Sequence, residues 1–154
     1  MKVRWSIYVL VCCVLLCLTG CGSNKEAQRS VLRVGVVLYT QDDPFINALT
    51  DCLKEDLEDY ETDSLKIIMT VRDGKNDQKL QDEVVEEILD AGCDILVVDL
   101  VDRTEPSNII KMAKNENIPV IFFNREPVRE DLMQWEKLYY RQIEFGQEMK
   151  GFLL

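Results

Sequence analysis

The 154-residue chain contains no histidine, so neither an imidazole base nor a histidine zinc ligand can be built from it. No HExxH helix and no CxxC pair in the body of the chain offers a metal site instead. No GxGxxG turn follows the first apolar strand pattern, which argues against a dinucleotide. No cofactor is therefore expected. The six cysteines look like a disulfide framework until they are placed. Cys12, Cys13, Cys17 and Cys21 lie in or beside an N-terminal apolar run, which leaves Cys52 in a helical pattern and Cys93 before an apolar strand. Both are expected to be small buried hydrophobes rather than a bridge. Basic residues are in short supply, with 18 Lys+Arg against 28 Asp+Glu and a net charge of -10. Such a surface repels nucleic acid phosphates and gives no broad adhesion to anionic lipid.

What is present starts with an uninterrupted apolar run, Ile7 to Leu18, with Lys2 and Arg4 before it and Leu18-Thr19-Gly20-Cys21 at its end. Positive residues, a short apolar stretch and small residues before a cysteine make a secretory leader. The run falls short of the roughly 17–25 apolar residues that a spanning helix needs. The junction resembles the lipobox of bacterial lipoproteins. That resemblance implies cleavage before Cys21, acylation of Cys21 and a lipid anchor on the extracytoplasmic face of the cell membrane. On this reading residues 1–20 are a lipoprotein signal peptide, 21–30 a polar tether and 31–154 the folded part. An uncleaved N-terminal anchor is the alternative.

From Val31 the pattern becomes regular. Val31 to Tyr39 is a valine-rich run of the kind buried in a parallel sheet. Pro44 then opens a helix whose apolar stripe is Phe45, Leu49, Cys52, Leu53, Leu57 and Tyr60. Leu65 to Val71 reads as a second strand, and Asp77 to Ala91 as a helix with Leu80, Val84, Val85, Ile88 and Leu89 buried and Gly92 as its C-cap. Asp94 to Leu100 is a third strand, Pro106 opens a helix through Ile109, Ile110 and Ala113, Ile118 to Phe123 is a fourth strand, and a fifth falls around Leu138 to Arg141. Strand and helix alternate through short connections, which predicts an α/β fold with a doubly wound parallel sheet.

Right-handed crossovers put every strand's C-terminal end on one edge, where ligands sit in such sheets. Polar residues gather there. Asp42 and Asp43 follow strand one, Arg72 and Asp73 strand two, Asp99, Asp102 and Arg103 strand three, and Asn124, Arg125 and Glu126 strand four. Phe45 is the aromatic ring best placed to face them. Carboxylates and amides that bind hydroxyls, beside a ring that stacks on a pyranose face, suit a carbohydrate. Each residue also has a bland reading: helix capping for Asp43, core packing for Phe45, a salt bridge or exposure for Asp99, and strand-end structure for Asn124 and Arg125. A paired-carboxylate hydrolase built from Asp42, Asp43, Asp99 and Asp102 is the weakest reading, because no carboxylate separation can be read from sequence. No enzyme is expected.

The segments Val34-Gly35-Val36-Val37-Leu38-Tyr39, Asp42-Asp43-Pro44-Phe45, Asn76-Asp77-Gln78, Asp99-Leu100-Val101-Asp102 and Pro119-Val120-Ile121-Phe122-Phe123-Asn124-Arg125-Glu126-Pro127 occur in order. Together they resemble the periplasmic galactose/glucose-binding protein family. The resemblance implies a type I periplasmic-binding-protein lobe, hexose capture between two lobes and delivery to an ABC permease in the membrane, with chemoreceptors as further partners in some bacteria. It implies that Asp43 hydrogen-bonds a sugar hydroxyl, that Phe45 stacks on the ring, and that Asp99 stands where the family has a sugar-binding asparagine. An ionised carboxylate only accepts hydrogen bonds, so Asp99 points to an altered preference. The chain stops at Leu154, where a family member would be finishing the first lobe's early helices, so a truncated lobe with weak or no binding alone is expected. The alternative role is a sensory or interaction lipoprotein that presents the lobe to a membrane receptor.

Overall fold

Nine elements alternate through residues 29–141, the part of the chain that the computed structural model describes. They are β1 (Ser30–Leu38), α1 (Pro44–Asp59), β2 (Leu65–Asp73), α2 (Gln78–Asp90), β3 (Ile95–Val98), α3 (Ser107–Asn115), β4 (Val120–Phe123), α4 (Arg129–Leu132) and β5 (Leu138–Arg141). The expected signal peptide, Cys21 and most of the expected tether lie outside the described residues.

The strands form one sheet in the order β2-β1-β3-β4-β5, and every pair is parallel. This is the doubly wound arrangement that the alternation predicts. Val34, Val36, Val37 and Leu38 are all buried because both faces of β1 are covered. Alternate β1 residues feed two cores. Val34, Val36 and Leu38 pack with Ile46, Leu53 and Leu57 of α1, whereas Val37 packs with Val85 and Ile88 of α2 and Ile109, Ile110 and Ala113 of α3.

On the second face β1 needs a glycine. A Cβ on Gly35 would sit 2.3 Å from Ile88 Cγ2, so a side chain there would push α2 off the sheet. The helix ends follow ordinary capping chemistry. Asp43 and Asp77 each accept a backbone N–H of the helix that they precede. Ala91 caps the C-terminus of α2, and Gly92 follows it with φ +82°, the left-handed turn that glycine adopts without strain.

Two stripes differ from the sequence reading. In α1 the buried positions are Ile46, Leu53 and Leu57, with Leu49 and Tyr60 at their flank, whereas Phe45 and Cys52 are exposed. Cys52 is therefore no buried hydrophobe: the stripe is centred on Ile46, which turns position 52 outward. Cys93 is buried, and both thiols are free. In α2 the fully buried positions are Gln81, Val85 and Ile88, whereas Leu80, Val84 and Leu89 of the expected stripe are only partly buried.

Candidate functional site

In the order β2-β1-β3-β4-β5, the chain leaves β1 in one direction and β3 in the other. The crevice outside the C-terminal ends of these two strands is the topological switch point, where ligands of open α/β sheets bind. Asp43, Phe45 and Asp99 are all delivered to this place, Asp43 and Phe45 by the β1–α1 turn and Asp99 by the end of β3.

Asp43 is the N-cap of α1. One carboxylate oxygen accepts the Phe45 N–H at 2.8 Å and the other accepts the Tyr39 hydroxyl at 2.5 Å. The Tyr39 hydrogen bond, then that of the Phe45 N–H, hold the carboxyl below its usual 3.8, and the same contact raises the Tyr39 phenol. With the Ile46 N–H also bonded to it, the carboxylate receives three hydrogen bonds and keeps about one acceptor site for a ligand hydroxyl. Phe45 sits on the first turn of α1 with 42% of its surface exposed, outside the α1 core.

Asp99 is wholly buried. Its two oxygens accept from the single Asn124 amide nitrogen at 3.2 and 3.0 Å. Burial pushes its pKa up to about 6, against the opposing pull of the Asn124 hydrogen bond and the Arg125 charge. Neither a salt bridge nor solvent exposure describes it. Asn124 follows β4 with φ 58°, a left-handed conformation that asparagine tolerates better than other side chains.

Arg125 ties the rim together. Its guanidinium donates to the Leu100 and Val101 carbonyls at 3.1 and 2.8 Å, and lies 3.8 Å from the centroid of the Tyr39 ring. Beneath the rim, Gln81 Nε2 donates to the Asp99 carbonyl at 2.8 Å and its Oε1 accepts the Val101 N–H at 2.9 Å. Gln78 Oε1 accepts the Asp102 N–H at 3.0 Å, so the first turn of α2 clamps the loop after β3. Two other rim carboxylates hold loop backbone: Asp102 accepts from Thr104 within its own turn, and Asp73 accepts from the Lys75 N–H and, across to the loop after β1, from the Gln41 N–H.

Tyr39 and Gln81 are the site residues that sequence reasoning did not single out. Tyr39 ends the first strand four residues before Asp43, within reach of its carboxylate. For Gln81 the signal was its spacing, four residues before Val85 and seven before Ile88, which puts a polar residue on the buried face of α2.

A five-stranded lobe with this order, and with its polar cluster at the switch point, defines a ligand-binding α/β domain. The comparisons give its family. Residues 34–146 match the periplasmic binding protein domain, and the chain belongs to that family. Its members are solute-binding proteins and not enzymes. The chain is 34% identical over 119 residues to a D-galactose/methyl-galactoside binding periplasmic protein of Haemophilus influenzae, a match that covers 77% of this chain and 35% of that protein. It is 27% identical over 100 residues to the ribose import binding protein of Escherichia coli, covering 65% and 32%. Among solved structures, an ABC transporter solute-binding protein of Bacillus halodurans with bound myo-inositol aligns with a TM-score of 0.54 at 26% identity, covering 70% of this chain and 35% of that one. A galactofuranose-binding protein shares the fold, with a TM-score of 0.60 at 23% identity over 70% of this chain and 34% of that one. The chain spans about a third of the length of the curated relatives that it matches.

Proposed function

We propose that this protein captures a hexose of the galactose or glucose kind for import through an ABC permease. Asp43 and Asp99 supply hydrogen bonds, and Phe45 supplies the stacking face. The observation that carries this reading is the meeting of Asp43, exposed Phe45 and Asp99 at one switch-point crevice. The likeness to a galactose-binding protein supports it. Pockets for small ligands bury about 70–90% of the ligand surface, whereas one sheet edge reaches only one face of a sugar. High affinity therefore needs a second covering surface, and the described lobe alone should bind weakly.

The lipobox reading completes the role: Cys21 carries the lipid, and the lobe is held at the extracytoplasmic face beside its permease. Among the described residues no helix is long and apolar enough to cross a membrane. Calorimetric titration of the intact protein with galactose, glucose, ribose and myo-inositol tests the capture role. Saturable heat from a sugar is expected, and silence from all four would refute it.

A further inference from the structure

The switch-point crevice holds two carboxylates, and its cation is engaged elsewhere. Asp99 is wholly buried, its carboxylate is met by neutral donors, the Asn124 amide at both oxygens and the Arg125 backbone N–H, and among the described residues no ion pair includes it. Asp43, whose charge reaches Asp99, is also hydrogen-bonded by neutral groups, the Tyr39 hydroxyl and the Phe45 and Ile46 N–H groups. Arg125 is the basic residue whose field is felt there. Its guanidinium is committed to the Leu100 and Val101 carbonyls and stacked on Tyr39.

A buried anion met only by neutral donors is poorly compensated. An N–H donor that carries a positive charge makes a shorter bond to a carboxylate, about twice as strong as a neutral one. A neutral hexose offers hydroxyls alone. Asn124 is half-buried where Asp99 is wholly so, which makes its amide the group that an incoming ligand exchanges with.

Resting on the sugar-capture reading, we propose that this site prefers an aminated sugar to a neutral hexose, the ligand's ammonium replacing the Asn124 amide at the Asp99 carboxylate. With a pKa of about 6, Asp99 is ionised at neutral pH and meets the ammonium as an anion. An asparagine at the same position has no charge to offer.

The test is calorimetric titration of the intact protein with galactose, galactosamine and N-acetylgalactosamine, and with glucose and glucosamine. At about pH 7.5 the free amine is expected to bind about tenfold or more tightly than its neutral parent, and the N-acetyl form should not share the gain. Asp99→Asn should bring amine and parent within about twofold of each other, since it removes the charge-assisted bond. The wild-type protein gives a second readout that needs no variant. Lowering the pH to about 5 protonates Asp99 and should erase most of the amine's advantage. The groups that face Asp99 are Asp43, Tyr39 and the Arg125 guanidinium; Asp43 is held below 3.8 and Tyr39 is raised above 10.0, so neither changes charge over that range. Parity, or tighter binding of the neutral sugar, in the wild type would overturn the amine preference and leave sugar capture standing. No heat from any sugar would overturn both.

Discussion

Replacing Asp99 by asparagine should stabilise the fold at neutral pH and flatten its dependence on pH. Folding carries this carboxyl from its usual 3.8 to about 6, chiefly through burial. A difference of about two pKa units, each worth about 1.4 kcal/mol, makes ionised Asp99 a penalty of about 3 kcal/mol near pH 7. The sign follows from the direction of the shift. The folded state holds the proton more tightly than the unfolded state, so the favourable contribution is complete below 3.8 and is lost as pH rises through about 6. An asparagine has no charge to desolvate, and its carbonyl can accept from Asn124 as the carboxylate does. Its amide donates back if the Asn124 amide turns over. The variant should therefore recover about 1–3 kcal/mol. Asp43, Asp102 and Glu61 are shifted downward and act in the opposite sense, but only in more acid solution, below their usual 3.8 or 4.5. Urea unfolding of both proteins at about pH 7.5, 6 and 5 measures the effect, and the stability gap should shrink by about half across that series. Equal midpoints at the highest pH, or a gap that does not narrow, would refute burial as the force acting on this carboxylate.

Phe45→Ala in the intact protein should weaken sugar binding by more than about tenfold. It should also destabilise by less than the roughly 3–5 kcal/mol expected for a buried Phe, because the ring is 42% exposed; titration and urea unfolding on one protein separate the two effects. Gly35→Ala places a Cβ 2.3 Å from Ile88 Cγ2, an overpacking that should destabilise by about 1–3 kcal/mol, and adding Ile88→Ala should cost less than the two single changes together when thermal unfolding is compared. Gln81→Leu leaves the Asp99 carbonyl and the Val101 N–H without their partner, at roughly 1–3 kcal/mol for each group. Hydrogen exchange at Val101 should rise well above the wild-type rate, and protection equal to wild type would show that the clamp is dispensable.

The sheet and its helices were readable because each strand and helix announces itself locally. A strand buried on both faces must be apolar nearly throughout, as β1 and β4 are, and Ile109, Ile110 and Ala113 mark the inner face of α3 by spacing alone. The misreadings lie where burial and polarity part company. Phe45 and Ile46 are adjacent at the first turn of α1, where the stripe begins, and periodicity favoured the larger ring. The outcome was set by the position of the sheet beneath the helix, a non-local fact. Gln81 is core because it closes two hydrogen bonds to backbone 18 and 20 residues away, and nothing near it in sequence states that those partners exist. The rim location of Asp99 followed from its place after β3, but its burial depends on Asn124, 25 residues on and held in a left-handed turn. Polar residues buried against their type are where local preference yields to a demand from elsewhere. In this lobe Gln81 and Asp99 are joined through the Asp99 carbonyl at the switch-point crevice. These two buried polar residues are therefore one physical unit: α2 fixes the backbone of Asp99, and that backbone aims a charged side chain where the family resemblance expects an amide.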